Sequence, residues 1–249
     1  MRNIFQTDSR TQPSRNAAKW IAAFAALALT ACGGETSTSP AANNNAAGAS
    51  AFEIENDHAI GNPNAKVTIV EHASVMCGAC ANWHNTVFPD LKKKYIDTGL
   101  VRFVFREFPT APENLAQAGF LIANCTGSDK FFDNIKLQFN RQPQIFKSMQ
   151  SGTVLNEYIA IGKAGGLSEA ETMACLKDEA QIAKYEAKVQ NGLDNGVTST
   201  PTFFMNGEKL GRTSDGELVF KLDSFDEALR PILGDEATKS SDTDADKTE

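Results

Sequence analysis

No run of about 20 apolar residues occurs in the 249-residue chain, which excludes a bundle of membrane-spanning helices. Basic residues are too few for a nucleic-acid partner: 24 Lys and Arg against 31 Asp and Glu leave a formal charge of −7. No internal repeat is present, which sets aside solenoids and propellers. Cysteine is sparse, five in all, and only Cys77-Gly78-Ala79-Cys80 has the Cys-x-x-Cys spacing. Without a second such pair, and with only His72 and His84 close in sequence, a structural zinc site lacks its ligand set. Ala81 follows the pair where haem attachment would require histidine. What is present is an apolar fraction of 41%, enough for a packed core in one sizeable domain or two small ones.

The N-terminus reads as a targeting segment. Arg2, Arg10, Arg15 and Lys19 precede a short apolar stretch, Trp20 to Ala31, that ends Leu29-Thr30-Ala31-Cys32. This pattern resembles the bacterial lipoprotein signal, which implies cleavage before Cys32 and lipid on its sulfur. An ordinary signal peptide cut near by, or an uncleaved anchor, are the alternatives. Gly33 rather than aspartate after the cysteine favours, by the same resemblance, the outer membrane. Any of these forms places the domain where disulfides persist. Residues 1–31 are thus the expected leader and 32–54 a Gly/Ser/Thr/Asn-rich flexible tether, whose ends would average roughly 25–30 Å apart. Residues 234–249, acidic and without apolar periodicity, read as a disordered tail.

Ordered structure is expected from about residue 55. Lys66 to Glu71 is a β-branched run, read as a buried strand. Residues 78–96 read as a helix with Trp83, Val87, Leu91 and Tyr95 on one stripe, kinked at Pro89. Leu100 to Phe108 alternates as a strand, with Arg102, Arg106 and Glu107 on its surface. Helices follow: one after a Thr110–Glu113 capping box with Leu115, Ala118, Ile122 and Cys125 on one face, then 129–139, 153–163, 169–177 after a Ser168–Glu171 capping box, and 179–193. Thr200 to Met205 returns to strand, Asn206-Gly207 is a hairpin turn to Glu208–Gly211, and Phe225, Ala228, Leu229 and Ile232 mark a closing helix. Two strands joined through a helix predict a parallel crossover.

Three features together resemble the DsbA-like branch of the thioredoxin superfamily: Cys77-Gly-Ala-Cys80 after a strand, Thr200-Pro201-Thr202 before an Asn-Gly hairpin, and a helical block between them. The resemblance covers about residues 55–233. It implies an α/β thioredoxin fold over 55–109 and 198–233 with an inserted all-helical subdomain over 110–197. It further implies that Cys77 is the exposed nucleophile, Cys80 the buried resolving thiol, Pro201 a cis-proline facing them, and Glu71 a semi-buried acid below. The best-known strong oxidants of the branch carry Pro-His between the cysteines. This chain carries Gly78-Ala79, so the resemblance does not set its potential.

The chemistry follows from the placement. A cysteine at a helix start meets free N–H groups and the positive dipole end, which favour thiolate over thiol. A stabilised thiolate stabilises the reduced form and makes the disulfide more oxidising. A substrate thiolate would attack Cys77 and displace Cys80, and a second substrate thiol would release the product disulfide. The Cys77–Cys80 disulfide is the only redox group required, with no cofactor. Thr200 could offer a hydroxyl to Cys77. Glu71 is either a proton shuttle for Cys80 or a solvated strand end. His84 packs or faces solvent, and Trp83 belongs to the core. Cys125 and Cys175 are either bridged, as in some relatives, or two buried thiols, and an oxidising compartment favours the bridge.

The activity expected is donation of disulfides to unfolded or reduced exported proteins in the bacterial periplasm, from a membrane-anchored lipoprotein. A DsbB-like membrane quinone reductase would recharge it. The competing readings are an isomerase or reductase, and a non-catalytic copper(I)-binding surface lipoprotein. Isomerases of the superfamily usually add an N-terminal dimerisation domain. Residues 33–57 are too short and polar for one, which argues for a monomer.

Overall fold

Val67–Ala73, with all seven residues buried, forms the central strand β2 of a five-stranded sheet. A strand covered on both faces needs a nearly continuous apolar run, which Val67, Ile69, Val70 and Ala73 supply. In the computed structural model, residues 52–211 and 220–234 are described. The expected leader over 1–31, Cys32, most of the tether over 32–54 and the tail beyond Gly234 lie outside them.

The sheet order is β1 (His58–Ile60), β3 (Val101–Glu107), β2, β4 (Thr202–Met205), β5 (Glu208–Lys209). β2 and β3 run parallel, from Val67 opposite Val101 to Ala73 opposite Glu107, as a helical crossover requires; the other pairings are antiparallel. The crossover is α1 (Gly78–Thr86), then α2 (Phe88–Leu91), then a π-helical turn over Lys92–Ile96. The break falls where Pro89 opens α2, because proline suits a helix's first turn and not its interior. Trp83, Leu91 and Tyr95 are buried beneath the crossover. Trp83 packs on Phe203, Phe88 and Phe225 with ring centroids 4.7, 5.6 and 5.8 Å away.

Five helices lie between β3 and β4: α3 (Glu113–Cys125), α4 (Ser128–Gln150), α5 (Val154–Ala164), α6 (Glu169–Cys175) and α7 (Glu179–Asp194). α6 begins on the expected capping box, with Ser168 Oγ accepting the Glu171 N–H at 3.2 Å and Glu171 Oε2 accepting that of Ser168 at 2.7 Å. The expected box at Thr110 does not form. α3 starts at Glu113, which is therefore its first residue and not its third, and Pro112 stands at the cap. α4 runs through Pro143 to Gln150 and outlasts the expected 129–139, because its buried face continues through Gln142 to Ile145. Packing of that face outweighs the one missing N–H.

The hairpin turns at Asn206 (φ 48°) and Gly207 (φ 83°), the two left-handed positions such a turn demands. Its return strand is only Glu208–Lys209, and Leu210 adds one bond to Phe203. α8 (Leu222–Leu233) closes the fold on Phe225, Leu229 and Leu233. The expected Ile232 points outward, since the stripe keeps a spacing of four.

β3 departs most from expectation. Only Arg102 is half-exposed, and Arg106 and Glu107 are buried. The two side chains point to opposite faces of the strand, and each is covered and given a counter-ion, Glu107 from helix α7 and Arg106 from the segment before β1. Lys188 Nζ is 2.6 Å from Glu107 Oε2, and Arg106 pairs with Asp57. Asn124 donates to Glu107 Oε1 at 3.0 Å, and its own Oδ1 meets His58 Nε2 at 2.6 Å. Buried charges persist when paired and hydrogen-bonded in this way.

Candidate active site

β2 ends at Ala73, and the loop Ser74–Met76 delivers Cys77 to the N-cap of α1. There the Cys77 Sγ accepts the backbone N–H of Cys80 at 3.2 Å, as a capping side chain does. Gly78 and Ala79 are exposed, and a methyl group added at Gly78 would meet nothing within 4 Å, so the approach to Cys77 is open. Cys77 itself is half-buried and Cys80 has no exposed surface.

The two thiols are therefore unlike. Hydrogen bonding from Cys80 leads the effects that lower the Cys77 thiol from 9.0 to about 6; Thr200 and the backbone N–H groups of Cys80 and Ala79 assist, against partial burial. Burial above all, then the contact with Cys77 and the negative charge of Glu71, pushes the Cys80 thiol far above the usual range. One sulfur is poised as thiolate at neutral pH, and the other is held as thiol.

The Thr200–Pro201 peptide bond is cis, and the Thr200 carbonyl accepts the Cys77 S–H at 3.4 Å. The Thr200 side chain acts on Cys77 as well, lowering its thiol, and its Oγ1 is buried with no other hydrogen-bond partner. Beside Pro201, an open groove of about 240 Å³ is lined by Ser199, Thr202, Phe203, Leu210 and Phe220 among others.

Glu71 lies in the middle of β2, opposite Phe105 of β3 and Phe203 of β4, with no exposed surface. Burial removes the reading of a solvated strand end. Its Oε2 is 2.7 Å from His84 Nε2, and its Oε1 has no partner. His84, one helical turn after Cys80, packs inward against Phe139 and Phe88, with ring centroids 4.6 and 4.8 Å away.

One site residue has no counterpart in the sequence reading. Gln142 of α4 donates from Nε2 to the carbonyls of Val75 at 2.7 Å and Cys77 at 3.0 Å, tying the helical block to the cysteine loop. The only signal for it was a polar recurrence at Asn134, Gln138 and Gln142 on an otherwise apolar helix face. Farther away, Cys125 at the end of α3 and Cys175 at the end of α6 are joined in a disulfide across 50 residues. Among the described residues, no group of three or more His, Cys, Asp and Glu side chains could hold a metal ion, and no helix is long and apolar enough to cross a membrane.

A family model described as thioredoxin matches residues 53–222. A protein of Rickettsia felis, provisionally named a protein-disulfide oxidoreductase, is 33% identical over 195 residues, 76% of this chain and 65% of that protein. Its namesake in Rickettsia typhi is 35% identical over 195 residues, 76% of this chain and 66% of that one. The chain thus spans just under two thirds of these relatives. Disulfide bond formation protein D of Bacillus subtilis is 24% identical over 171 residues, 65% of this chain and 73% of its own. Among solved structures, Wolbachia pipientis alpha-DsbA1 T172V superposes with a TM-score of 0.63 at 24% identity, over 75% of this chain and 96% of its own. Oxidised BdbD from Bacillus subtilis gives 0.62 at 20% identity, over 73% and 95%. At these identities the superpositions establish the fold.

Proposed function

Because the chain belongs to the thioredoxin family, in its DsbA-like branch, we propose that it is an extracytoplasmic thiol–disulfide oxidoreductase that introduces disulfides into exported proteins through Cys77–Cys80. The observation that carries this reading is the unequal pair. Cys77 is accessible and lowered to about 6, and Cys80 is sealed and raised. A lowered nucleophile stabilises the dithiol form, so the disulfide form gives up its bond readily. In the forward cycle a substrate thiolate attacks Cys77, the Cys77–Cys80 bond breaks, and Cys80 leaves with the electron pair and takes a proton. A second substrate thiolate then attacks the substrate sulfur of the mixed disulfide. It releases Cys77 as thiolate and the substrate as disulfide. The groove beside Pro201 is where an extended substrate segment would lie.

Glu71 is the acid whose charge acts on the Cys80 thiol, and its unpartnered oxygen supports a role in giving the proton to Cys80 or taking it back. Lipid on Cys32 would hold the domain at a membrane, with the outer membrane favoured by Gly33. A DsbB-type membrane partner would restore the disulfide, and the domain would act as a monomer.

The test is thiol oxidation of a reduced, unfolded protein by the full chain, beside Cys77→Ser. Activity in the wild type and none in the variant is expected. The Cys77–Cys80 potential is then measured against a glutathione buffer. A value near that of thioredoxin, about −270 mV, would replace the oxidant with a reductant.

A further inference from the structure

We propose that His84 is the outlet through which the buried Glu71–Cys80 pair exchanges its proton with solvent, a positioning residue that acts through Glu71. The inference rests on the oxidoreductase reading above. Cys80 and Glu71 have no exposed surface, and the His84 side chain keeps 6% of its own, so of the three only the His84 side chain touches solvent. His84 Nε2 and Glu71 Oε2 are hydrogen-bonded at 2.7 Å, with the donor set by the imidazole tautomer. The other walls carry nothing that could serve. Opposite Glu71 stand Phe105 and Phe203. Around the imidazole stand Trp83 and Phe88 from the crossover, Phe103 and Phe105 from β3, and Phe139 from α4, with centroids between 4.6 and 6.5 Å. No other ionisable side chain hydrogen-bonds or pairs with either residue among the described residues.

The step at stake is the one in which Cys80 acts. When Cys80 resolves a mixed disulfide on Cys77, its S–H bond breaks, a Cys77–Cys80 bond forms, and the substrate sulfur leaves with the electron pair. The Cys80 proton passes to Glu71. His84 then returns Glu71 to the carboxylate by accepting that proton at Nε2 while its other nitrogen gives one to water. In the forward cycle every transfer reverses. A carboxylate without this contact could still take one proton, but it would have no path to discharge it through the aromatic wall.

The experiment separates the two sulfurs' steps in the full chain. Reduced protein is mixed with oxidised glutathione. Capture by Cys77 and subsequent resolution by Cys80 are followed as two phases for the wild type, His84→Gln and His84→Ala. Glutamine can still donate a hydrogen bond to Glu71 but cannot relay a proton. The expected result is an unchanged capture phase, a resolution phase slowed about tenfold or more in both variants, and recovery of His84→Ala, but not of wild type, on adding imidazole. Resolution at the wild-type rate in His84→Gln would overturn the assignment. So would a slowed His84→Ala that imidazole does not recover, since a purely structural loss has that form. A wild type that forms no mixed disulfide would instead remove the exchange reading itself.

Discussion

At the scale of single residues, the site depends on two identical side chains given opposite ionisation by position. Cys77 caps a helix and touches the Thr200 carbonyl; Cys80, one turn on, is sealed under the sheet. The consequence is measurable in the pH dependence of the potential. Cys77 is an acid depressed from 9.0 to about 6, so the stability it lends the reduced form is full above 9.0 and is lost as pH falls through about 6. Cys80 keeps its proton throughout that window. Between these limits reduction takes up two electrons and one proton, and below about pH 6 two protons. The potential should therefore fall by about 30 mV per pH unit above the break and about 60 mV below it. A single slope of about 60 mV up to pH 9 would mean that Cys77 titrates as an ordinary thiol.

Among the elements, α4 does more than cover the sheet. Its face carries Gln142 to the two carbonyls that shape the cysteine loop, and Phe139 to the ring of His84. Replacing Gln142 with leucine leaves the Val75 and Cys77 carbonyls without that donor. A loss of about 2 kcal/mol is expected from the urea midpoint of the reduced protein. Alkylation of Cys77 should also change, because the loop that presents it loses its tie. No change in either would make the contact incidental. β3 illustrates the same point in reverse: Arg106 and Glu107 read from the sequence as strand surface, yet α7 supplies Lys188 to Glu107 and the segment before β1 supplies Asp57 to Arg106, and both are interior.

For the whole molecule, the loop after β2 sets Cys77 against the Thr200–Pro201 turn before β4, and the helical block between β3 and β4 braces that loop through Gln142. The Cys125–Cys175 disulfide clamps α3 to α6 within that block, away from the reactive pair. Closing a loop of 50 residues constrains the unfolded chain by about 4 kcal/mol in the chain-entropy account. The double variant Cys125→Ala, Cys175→Ala should lose up to that amount in denaturant unfolding while Cys77 still titrates at about 6. A loss well under 1 kcal/mol would show that the helices hold without the clamp. A shifted Cys77 titration would show that the block's integrity tunes the site.

Much of this was written locally. The Cys-x-x-Cys spacing, the Asn206-Gly207 turn, the Ser168 capping box and the break of the crossover at Pro89 each depend on neighbours within a few residues, so their outcome follows from short-range sterics and hydrogen bonding. What only the tertiary structure decided is the company kept across the chain: Glu71 buried against His84, the Thr200 carbonyl on Cys77, Gln142 reaching back to the loop, and Lys188 beneath Glu107. A polar side chain's environment is set by which distant surface packs over it, and that packing also overrode the expected end of α4 at 139. Charge and spacing along the chain specify what a residue can do; burial and partners, fixed only on folding, select which of those chemistries it performs.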